Sequence, residues 1–496
     1  MKPLAIPALC LVLAVPALGC GAPRRTSTSS ASGTSASASG TGGAGGTGGG
    51  SGGTGTGTGS GGADAGLTAC DQSEPWVQGW KPVREVYVAP GGAGDGKLAT
   101  PFGTIAAALE KAQPGDHVNV AAGTYDCADT YVDGAAGAAL GTLAHPIWVH
   151  ADAGAVVDCG DPTQGATSAL QLHAVTYLVI EGLELRNAAG HLLHVDGHSK
   201  AVLFRNVHAH RAGLACLKAS QSDDVSVEGS DLGDAGLTAD PVASNASGQI
   251  LDYVGVHGAY VTRSSLHGAA GNGKGSAANV AAQFKGGSRD ILFAQNDVTA
   301  AYTAINLGGS TGAQFFDPPT ADYEGKNIVA YANVLRGPLS VAFAAMGCHG
   351  CAVYNNTVDA PLDHQAFRAL PGGLPSGQAS HTVGLDVANN LFLFTGGAPQ
   401  DLFNAGAADQ TGITQASNLF FAKGAKLAAG FSDVPVVGTP GVVLDQDPRL
   451  AAPPADLHLG AGSPALGAGK PLPGFTADRD GRCRTTWDIG AYAAGK

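Results

Sequence analysis

A short strand-and-turn unit recurs from about residue 117 onward, and this repeat limits the possible folds more than any other feature of the chain. Each unit has a few β-branched or aliphatic residues, then Gly, Asn or Ser, then a second short apolar run. The turn residues are Gly182, Asn206, Gly229, Ser264, Asn296, Asn333, Asn356, Asn390 and Asn418. Asn333 and Asn356 are 23 residues apart, and wider spacings fit one unit plus a loop. A period in the twenties with short strands is typical of a solenoid.

The repeat favours a parallel β-helix over a leucine-rich solenoid, because the leucine-rich consensus is absent. In a β-helix each strand pairs with the equivalent strand of the next rung about 4.8 Å away, and Val, Ile and Leu fill a narrow interior. We expect the Asn residues to adopt left-handed turn conformations at one corner and to hydrogen-bond to the Asn of the next rung. We assign these Asn residues no catalytic role.

The two ends of the repeat differ from its middle, as the ends of a solenoid must. Thr104 is an N-cap candidate, and the apolar pattern at 105–112 predicts a short helix that covers the first strand edges. We therefore predict an all-β fold with a short N-terminal capping helix. Its parts are an N-terminal cap with the first rung (68–130), the β-helix rungs (131–425), and C-terminal rungs with a cap (426–496).

The N-terminal residues indicate export. Lys2 precedes an apolar stretch at 3–18, which predicts a signal peptide over residues 1–20. The stretch ends in ALGC, similar to a bacterial lipobox, in which the Cys, here Cys20, is acylated. An ordinary signal peptide cleaved nearby is the alternative. Residues 21–67 are rich in Ser, Gly and Thr, so we expect a disordered linker. We expect the protein at the outer membrane or cell surface, attached to the bacterial membrane through a lipid. Secretion is the alternative.

The charge balance of the chain limits its possible binding partners. A formal net charge of −13, from 27 Lys and Arg against 40 Asp and Glu, argues against nucleic acid as a partner.

Of nine Cys, Cys10 lies in the signal peptide and Cys20 is the lipid candidate, so an odd number remains and at least one thiol is free. For Cys348 and Cys351 we favour a local disulfide or two packed thiols over a zinc or redox site.

The two ends of the body carry a family resemblance. The opening "YVAPGG…PFGTIAAALEKAQPGDHVNVAAGTY" resembles that of the pectate-lyase-like right-handed parallel β-helix superfamily, and the ending "DPRL…GSPALGAG…DIGAY" is similar to that of its exported bacterial members. The resemblance covers about residues 85–493 and implies a single right-handed β-helix. It also implies a groove lined by loops, so the insertions between 229 and 296 and between 296 and 333 are expected to mark the site.

The first candidate site segment contains Lys285, which ends a short apolar strand before two glycines. The resemblance implies a Lys or Arg base, because uronate lyases of the superfamily use one to remove the proton beside the substrate carboxylate. Arg289 is the predicted neighbouring cation, and Arg368 is predicted to bind a carboxylate with two hydrogen bonds. A solvated turn lysine is the alternative.

The second candidate segment begins one rung after Lys285 and supplies the predicted sugar-binding residues. They are Asn306, Gly308, Gly309, Ser310, Thr311 and Phe316. Two adjacent glycine-rich loops beside an aromatic ring are suited to form the floor of a sugar site. The sequence GGSTG lacks the Lys that completes a phosphate-binding P-loop.

A third candidate is a Ca²⁺ site made by Asp223, Asp224 and Asp231, since carboxylates on consecutive rungs suit that ion. The resemblance implies such an ion, which would acidify the substrate's proton, but the Asp-rich motif of the calcium-dependent lyases is not evident. Turn formation by Asp is the alternative. His208 and His210 share one strand face, a spacing suited to a metal pair, but the sequence identifies no third ligand and surface histidines are favoured.

These observations lead to one main functional hypothesis and two alternatives. The main hypothesis is a surface-anchored or secreted, carbohydrate-active, monomeric β-helix that cleaves a polysaccharide containing uronates by β-elimination. A non-catalytic rod that binds glycans or mediates adhesion is the first alternative. A glycoside hydrolase, which needs two facing carboxylates, is the second.

Overall fold

The computed structural model describes Val77 and residues 79–127, 130–164, 168–237, 248–269, 279–427, 432–472 and 474–494. The predicted signal peptide, the predicted acylation site Cys20 and the predicted linker at 21–67 lie outside these residues. Within the described part, no helix is long and apolar enough to cross a membrane. The regular secondary structure of the described chain is almost entirely β-strand, and nearly all strand pairs are parallel.

The strands form three stacks, in which each strand pairs with its equivalent in the next rung. The first stack contains Arg84–Val88, Asp116–Val120, Ile147–Ala151, Thr176–Glu181, Lys200–Arg205, Ser288–Ala294, Gly325–Tyr331, Cys348–His349, Ala352–Tyr354, Leu385–Ala388 and Ile413–Ala416. The second contains Gly123–Asp126, Ala155–Asp158, Glu184–Arg186, His208–Ala212, Asp231–Ala235, Ser265–Ala269, Thr357–Ala360, Leu391–Phe394, Leu419–Ala422 and Val443–Leu444. The third contains Tyr131–Asp133, Ser168–His173, His191–Asp196, Val280–Lys285, Gln365–Leu370 and Asp401–Ala405.

Four long strands bend from one stack into the next. Ala215–Glu228 and Gln249–Thr262 run from the third stack into the first, and Asp297–Gly308 and Val334–Met346 run from the second into the third. Two short antiparallel pairs complete the strands, Gly372–Gly373 with Ala379–Ser380 and Leu450–Ala452 with Asp456–Leu459. The architecture is therefore a parallel β-helix, as the repeat predicted.

Alternating side chains of the three stacks fill one continuous core. The side chains that fill its early rungs are mostly aliphatic, whereas those of its later rungs include many phenylalanine rings. Phe367 stacks on Phe343 and on Phe403, with ring centroids 5.2 Å and 4.6 Å apart. Cys216 is a free thiol buried in this core, and Cys127–Cys159 and Cys348–Cys351 are disulfides. Of the two alternatives favoured for the latter pair, the structure has the local disulfide.

A ladder of buried Asn side chains follows the corner between the first and second stacks. Asn296 donates its backbone N–H to Asn333 Oδ1 at 2.9 Å, and Asn333 repeats this bond to Asn356. The ladder continues to Asn390 and Asn418. The predicted rung-to-rung bonds are confirmed. Within the ladder the left-handed conformation belongs to the residue before each Asn, whereas Asn206, outside the ladder, is itself left-handed as predicted. Asn333 uses its side-chain amide and its backbone N–H for bonds to neighbouring rungs, to Phe293 and Asn356 respectively.

The helices are short. Ile105–Lys111 is an α-helix whose first turn is capped by Thr104, since the Thr104 hydroxyl accepts a hydrogen bond from the N–H of Ala107. Its apolar face joins the core at the beginning of the β-helix. The helix has the predicted position, and its role as a cap stays a prediction. The others are the α-helix Ala407–Gln410 and the 3₁₀ helices Gly134–Ala136 and Ala313–Phe315.

Candidate active site on the third stack

One column of outward-facing side chains on the third stack is unusually polar. Strand register places one residue from each rung above the next, and alternation turns these residues away from the core. The column contains Gln171, His194, Lys218, Asp252, Gln283, Asn306, Ala344, Arg368 and Asn404. We call this set the polar column. It brings chemically different groups together at intervals of about 4.8 Å.

Asp252 is the centre of the polar column. Its side chain is only 4% exposed and lies between two ammonium groups. Lys218 donates to Asp252 Oδ2 from the preceding rung, and Lys285 Nζ lies 3.2 Å from Asp252 Oδ1. Burial by itself raises the pKa of Asp252, but the two ammonium groups outweigh it and hold the pKa below its usual value. The carboxylate therefore stays ionised and fixes both lysines.

The loop after Gly308 packs directly on Lys285. A Cβ placed on Gly309 would lie 2.9 Å from Lys285 Cβ and 2.7 Å from Gln283 Nε2, so only glycine allows this approach. The predicted segments around Lys285 and Gly308 are therefore adjacent, as the one-rung spacing indicated. Lys285 itself is largely covered, with a side-chain exposure of 15%.

Glu324 fixes this loop through hydrogen bonds. Its buried carboxylate accepts hydrogen bonds from the backbone N–H of Gly286 and from the N–H and hydroxyl of Thr311, at 2.7–2.8 Å. Burial raises the pKa of Glu324, and these hydrogen bonds together with the charge of Lys285 oppose the shift. Thr311 is thus a positioning residue for the loop that covers Lys285.

The other residues predicted to bind sugar have different surroundings. Asn306 lies in the polar column, and its Oδ1 is buried without a hydrogen-bond partner in the described chain. Ser310 lies in the loop beside Gly373. Phe316 was wrongly predicted to contact a sugar, because it is 2% exposed and packs with Ala321 and Tyr323. Its neighbour Phe315 is the exposed ring, at 54%.

The two predicted arginines are separated. Arg368 belongs to the polar column, three rungs beyond Lys285 and hence about 14 Å along the axis. Arg289 follows the glycine turn and lies in the first stack, where it pairs in register with His257 and Lys326. Its ion pair is with Asp290 at 3.5 Å. The prediction that Arg289 neighbours Lys285 at the site is therefore corrected, because the corner at 286–287 turns the chain onto another face.

The predicted Ca²⁺ ligands do not converge. Asp223 and Asp224 line an open groove of about 740 Å³ on the first stack, and Asp223 binds His257 Nδ1 at 3.0 Å. Asp231 belongs to the second stack, where its neighbours are histidines. A β-helix corner separates the two positions, so these three carboxylates do not fit one calcium ion.

Sequence reasoning missed Lys218 and the buried histidines beside it. His194 precedes Lys218 in the polar column, and the rings of His191 and His194 lie 5.1 Å apart. Burial, followed by the charges of His194 and Lys218, lowers the pKa of His191 to about 3. The only signal in the sequence was the rung spacing, since Lys218 and Asp252 are 34 residues apart.

The geometry can now be compared with known proteins. No protein-family model and no curated protein matches this sequence. The solved structure of pectate lyase Pel9A is 16% identical and has a TM-score of 0.56, and the match covers 84% of this chain and 98% of that one. The fold is the pectate-lyase-like right-handed parallel β-helix. At this identity the similarity establishes the fold, and the activity has to be inferred from the residues of the site.

Two further solved structures are less similar. An alginate lyase from Paenibacillus sp. str. FPU-7 is 15% identical with a TM-score of 0.38, and the match covers 65% of this chain and 97% of that one. PfbA, a surface adhesin of Streptococcus pneumoniae, is 10% identical with a TM-score of 0.40, and the match covers 67% of this chain and 89% of that one. Neither similarity bears on what this chain does.

Proposed function

We propose that the polar column binds an acidic polysaccharide and that Lys285 removes a proton from it in a β-elimination. The observation that carries the proposal is the outward placement of Lys218, Lys285 and Arg368 in or beside the polar column, which contains a single carboxylate, Asp252. The buried Glu324, just before the first-stack strand Gly325–Tyr331, fixes the loop beside Lys285. The groove on the first stack has more carboxylates than cations, since Asp223, Asp224 and Asp290 line it with one lysine, Lys200.

Arg368 is the binding group in this proposal. No ion pair or hydrogen bond to its guanidinium is found among the described residues, whereas Lys218 and Lys285 share Asp252. A guanidinium without a partner suits a carboxylate, which it binds with two parallel hydrogen bonds. Its distance of three rungs from Lys285 requires a substrate of several sugar units, because one uronate cannot reach both.

In the proposed reaction Lys285, which pairs with Asp252 as an ammonium, first gives a proton to solvent, and its neutral Nζ then takes the proton from the carbon that carries the substrate carboxylate. The electron pair of that C–H bond forms a carbon–carbon double bond, and the bond to the glycosidic oxygen on the next carbon breaks. The leaving oxygen takes a proton from solvent. Lys218, held by Asp252 one rung away, would stabilise the negative charge that develops on the substrate carboxylate.

The test is to incubate the full chain with pectate, alginate and other polymers containing uronates and to follow near-ultraviolet absorbance, which an unsaturated product raises. We expect absorbance with at least one polymer and its loss in Lys285→Ala. Lys426→Ala is the matched control, because that lysine is 83% exposed and far along the chain from the site. No absorbance with any polymer, or unchanged cleavage by Lys285→Ala, would contradict the proposal.

The same experiment separates the alternatives. Glycoside hydrolysis releases reducing ends without ultraviolet absorbance and needs two carboxylates about 5–9 Å apart. Asp252 is the only carboxylate in the described polar column, and both its oxygens are engaged by lysines. Retention on an immobilised uronate polymer without any product would indicate a non-catalytic binding rod.

We also propose that the protein is exported and acylated at Cys20, on the strength of the apolar segment at 3–18 and the ALGC sequence. Labelled palmitate should be incorporated by the natural chain and not by Cys20→Ala. Equal labelling of both chains would rule out this anchor.

A further inference from the structure

A second cluster of chemically active side chains lies on the second stack, away from the polar column. Three successive strands contribute to it, His208–Ala212, Asp231–Ala235 and Ser265–Ala269. Register places His208 beside Asp231, and it places His210 and His267 on either side of Gly233. Asp231 follows His208 by 23 residues and precedes His267 by 36, and the fold brings all three to one patch of the surface.

Three histidine side chains converge on the carboxylate of Asp231. His210 Nε2 lies 3.4 Å and His208 Nδ1 lies 4.0 Å from Asp231 Oδ2, and His267 Nε2 lies 3.2 Å from Asp231 Oδ1. One ligand atom from each of His208, His210 and Asp231 lies within 4.8 Å of the others. The rings of His210 and His267 are 5.4 Å apart.

Gly233 makes this convergence possible. A Cβ at this position would lie 2.0 Å from Cε1 of His267, so any other residue would push the imidazole away. Its backbone is not in the left-handed region, so the glycine serves space and not backbone conformation. The absence of a side chain at Gly233 leaves room for the ring of His267 to reach Asp231.

The arginine next to His210 in register does not occupy the cluster. Arg186 precedes His210 in register, but its guanidinium binds Asp158 at 2.8 Å and Glu184 at 3.0 Å. The positive charge is therefore held beside the cluster by its own carboxylates. The four cluster side chains are between 27% and 58% exposed, so an ion from solvent can reach them.

We propose that His208, His210, Asp231 and His267 bind a first-row transition metal ion, of which Zn²⁺ fits best. Ligand atoms about 2.0 Å from a tetrahedral zinc are separated by about 3.3 Å, close to the distances between the imidazole nitrogens and Asp231. Imidazoles with one carboxylate suit Zn²⁺, Co²⁺ or Ni²⁺, whereas Ca²⁺ requires six or more oxygens. This site is independent of the proposed lyase activity, because it lies on another stack.

The test is titration of the full chain, stripped of metal with a chelator, with Zn²⁺ in a calorimeter and with Co²⁺ in a spectrophotometer. We expect one saturable site, and a visible Co²⁺ spectrum typical of tetrahedral nitrogen and oxygen ligands. Thiolate bands in the near ultraviolet would instead show that a cysteine binds the ion, and would overturn the assignment. Excess Ca²⁺ should not compete.

Two variants test the named ligands. His210→Gln should weaken Zn²⁺ binding on the order of 100-fold, and Gly233→Ala, which displaces only His267, by about tenfold. His364→Gln is the control, since this histidine pairs with Asp363 on another part of the surface. Both test variants should keep the melting temperature of the metal-free chain within a few degrees. Wild-type affinity in His210→Gln, or no saturable Zn²⁺ binding by the natural chain, would overturn the proposal.

Discussion

The Asn ladder and the polar column are built by the same geometry and have opposite properties. Each places one residue per rung above the next, at about 4.8 Å. In the ladder the residues are identical, and each buried amide satisfies the one before it, as Asn333 does for Asn296. In the polar column the residues differ, and Asn306 Oδ1 is buried without a partner in the described chain.

The comparison teaches where function can reside in a solenoid. A repeated self-complementary residue closes its own hydrogen bonds and contributes stability, so it has nothing left for a ligand. A column of unlike residues leaves polar groups that a substrate can satisfy. Changes in the polar column should therefore affect activity, and changes in the ladder should affect stability.

The largest expected effect is on cleavage by Lys285→Ala. We expect a loss of about 10²- to 10⁴-fold in the rate of the folded protein, the usual contribution of a positioned base. The initial rate of absorbance gain measures it. Asn390→Ala, in the ladder, serves as the opposite case, because it should destabilise the fold and leave the rate of the folded protein unchanged. Equal rate losses in both variants would remove the distinction.

The next effect is on stability, from Asp252→Ala. Removing this buried carboxylate leaves Lys218 and Lys285 without their shared partner, and we expect a loss of about 3–5 kcal/mol in the free energy of unfolding. Asp252→Asn keeps the shape and one acceptor and should lose less. Denaturant unfolding of the three proteins measures the difference. A loss below about 1 kcal/mol for Asp252→Ala would show that the two ion pairs contribute little.

A smaller loss is expected from Asn333→Ala. The N–H of Asn296 and the carbonyl of Phe293 would lose their partner inside the protein. Each buried group left unsatisfied costs about 1–3 kcal/mol. Denaturant unfolding should show a loss in this range, and cleavage by the folded fraction should be unchanged. A neutral substitution would mean that water replaces the amide and that the ladder is dispensable.

The smallest effect is the loss of stability over about the first pH unit below 6.5, which arises at His191. Its pKa is about 3 in the folded protein against an ordinary 6.5, so the unfolded chain binds the proton more tightly. This contribution to stability is present above pH 6.5 and is lost as the pH falls from 6.5 toward 3, by at most about 1.4 kcal/mol per pH unit. Melting temperatures of wild type and His191→Gln should converge with decreasing pH. Parallel curves would contradict the assignment.

The features of the fold and site that follow directly from the repeat could be predicted from the sequence. The rung period and the apolar strands were enough for the fold, and the recurring Asn residues were enough for the ladder. The proximity of Lys285 to Gly309 also followed, because one rung separates them. These features need only local spacing, which a single sequence contains.

The rest of the site depends on register and corners, which local spacing does not determine. Lys218 meets Asp252 only because 34 residues happen to make one rung, and loop length hides that relation. Arg289 was misplaced because a tight corner at Gly286 and Gly287 turns it onto another stack. Phe316 was misassigned in place of Phe315, since burial of one of two adjacent rings is decided by packing with Tyr323.

The most direct test of the proposed function is a crystal structure of the Lys285→Ala variant with an acidic oligosaccharide of the polymer that the natural chain cleaves. We predict that the sugar chain lies along the third stack, with one carboxylate beside Lys218 and another bound to the guanidinium of Arg368. An oligosaccharide bound on the first stack, beside Asp223 and His257, would contradict the assignment of the polar column as the active site.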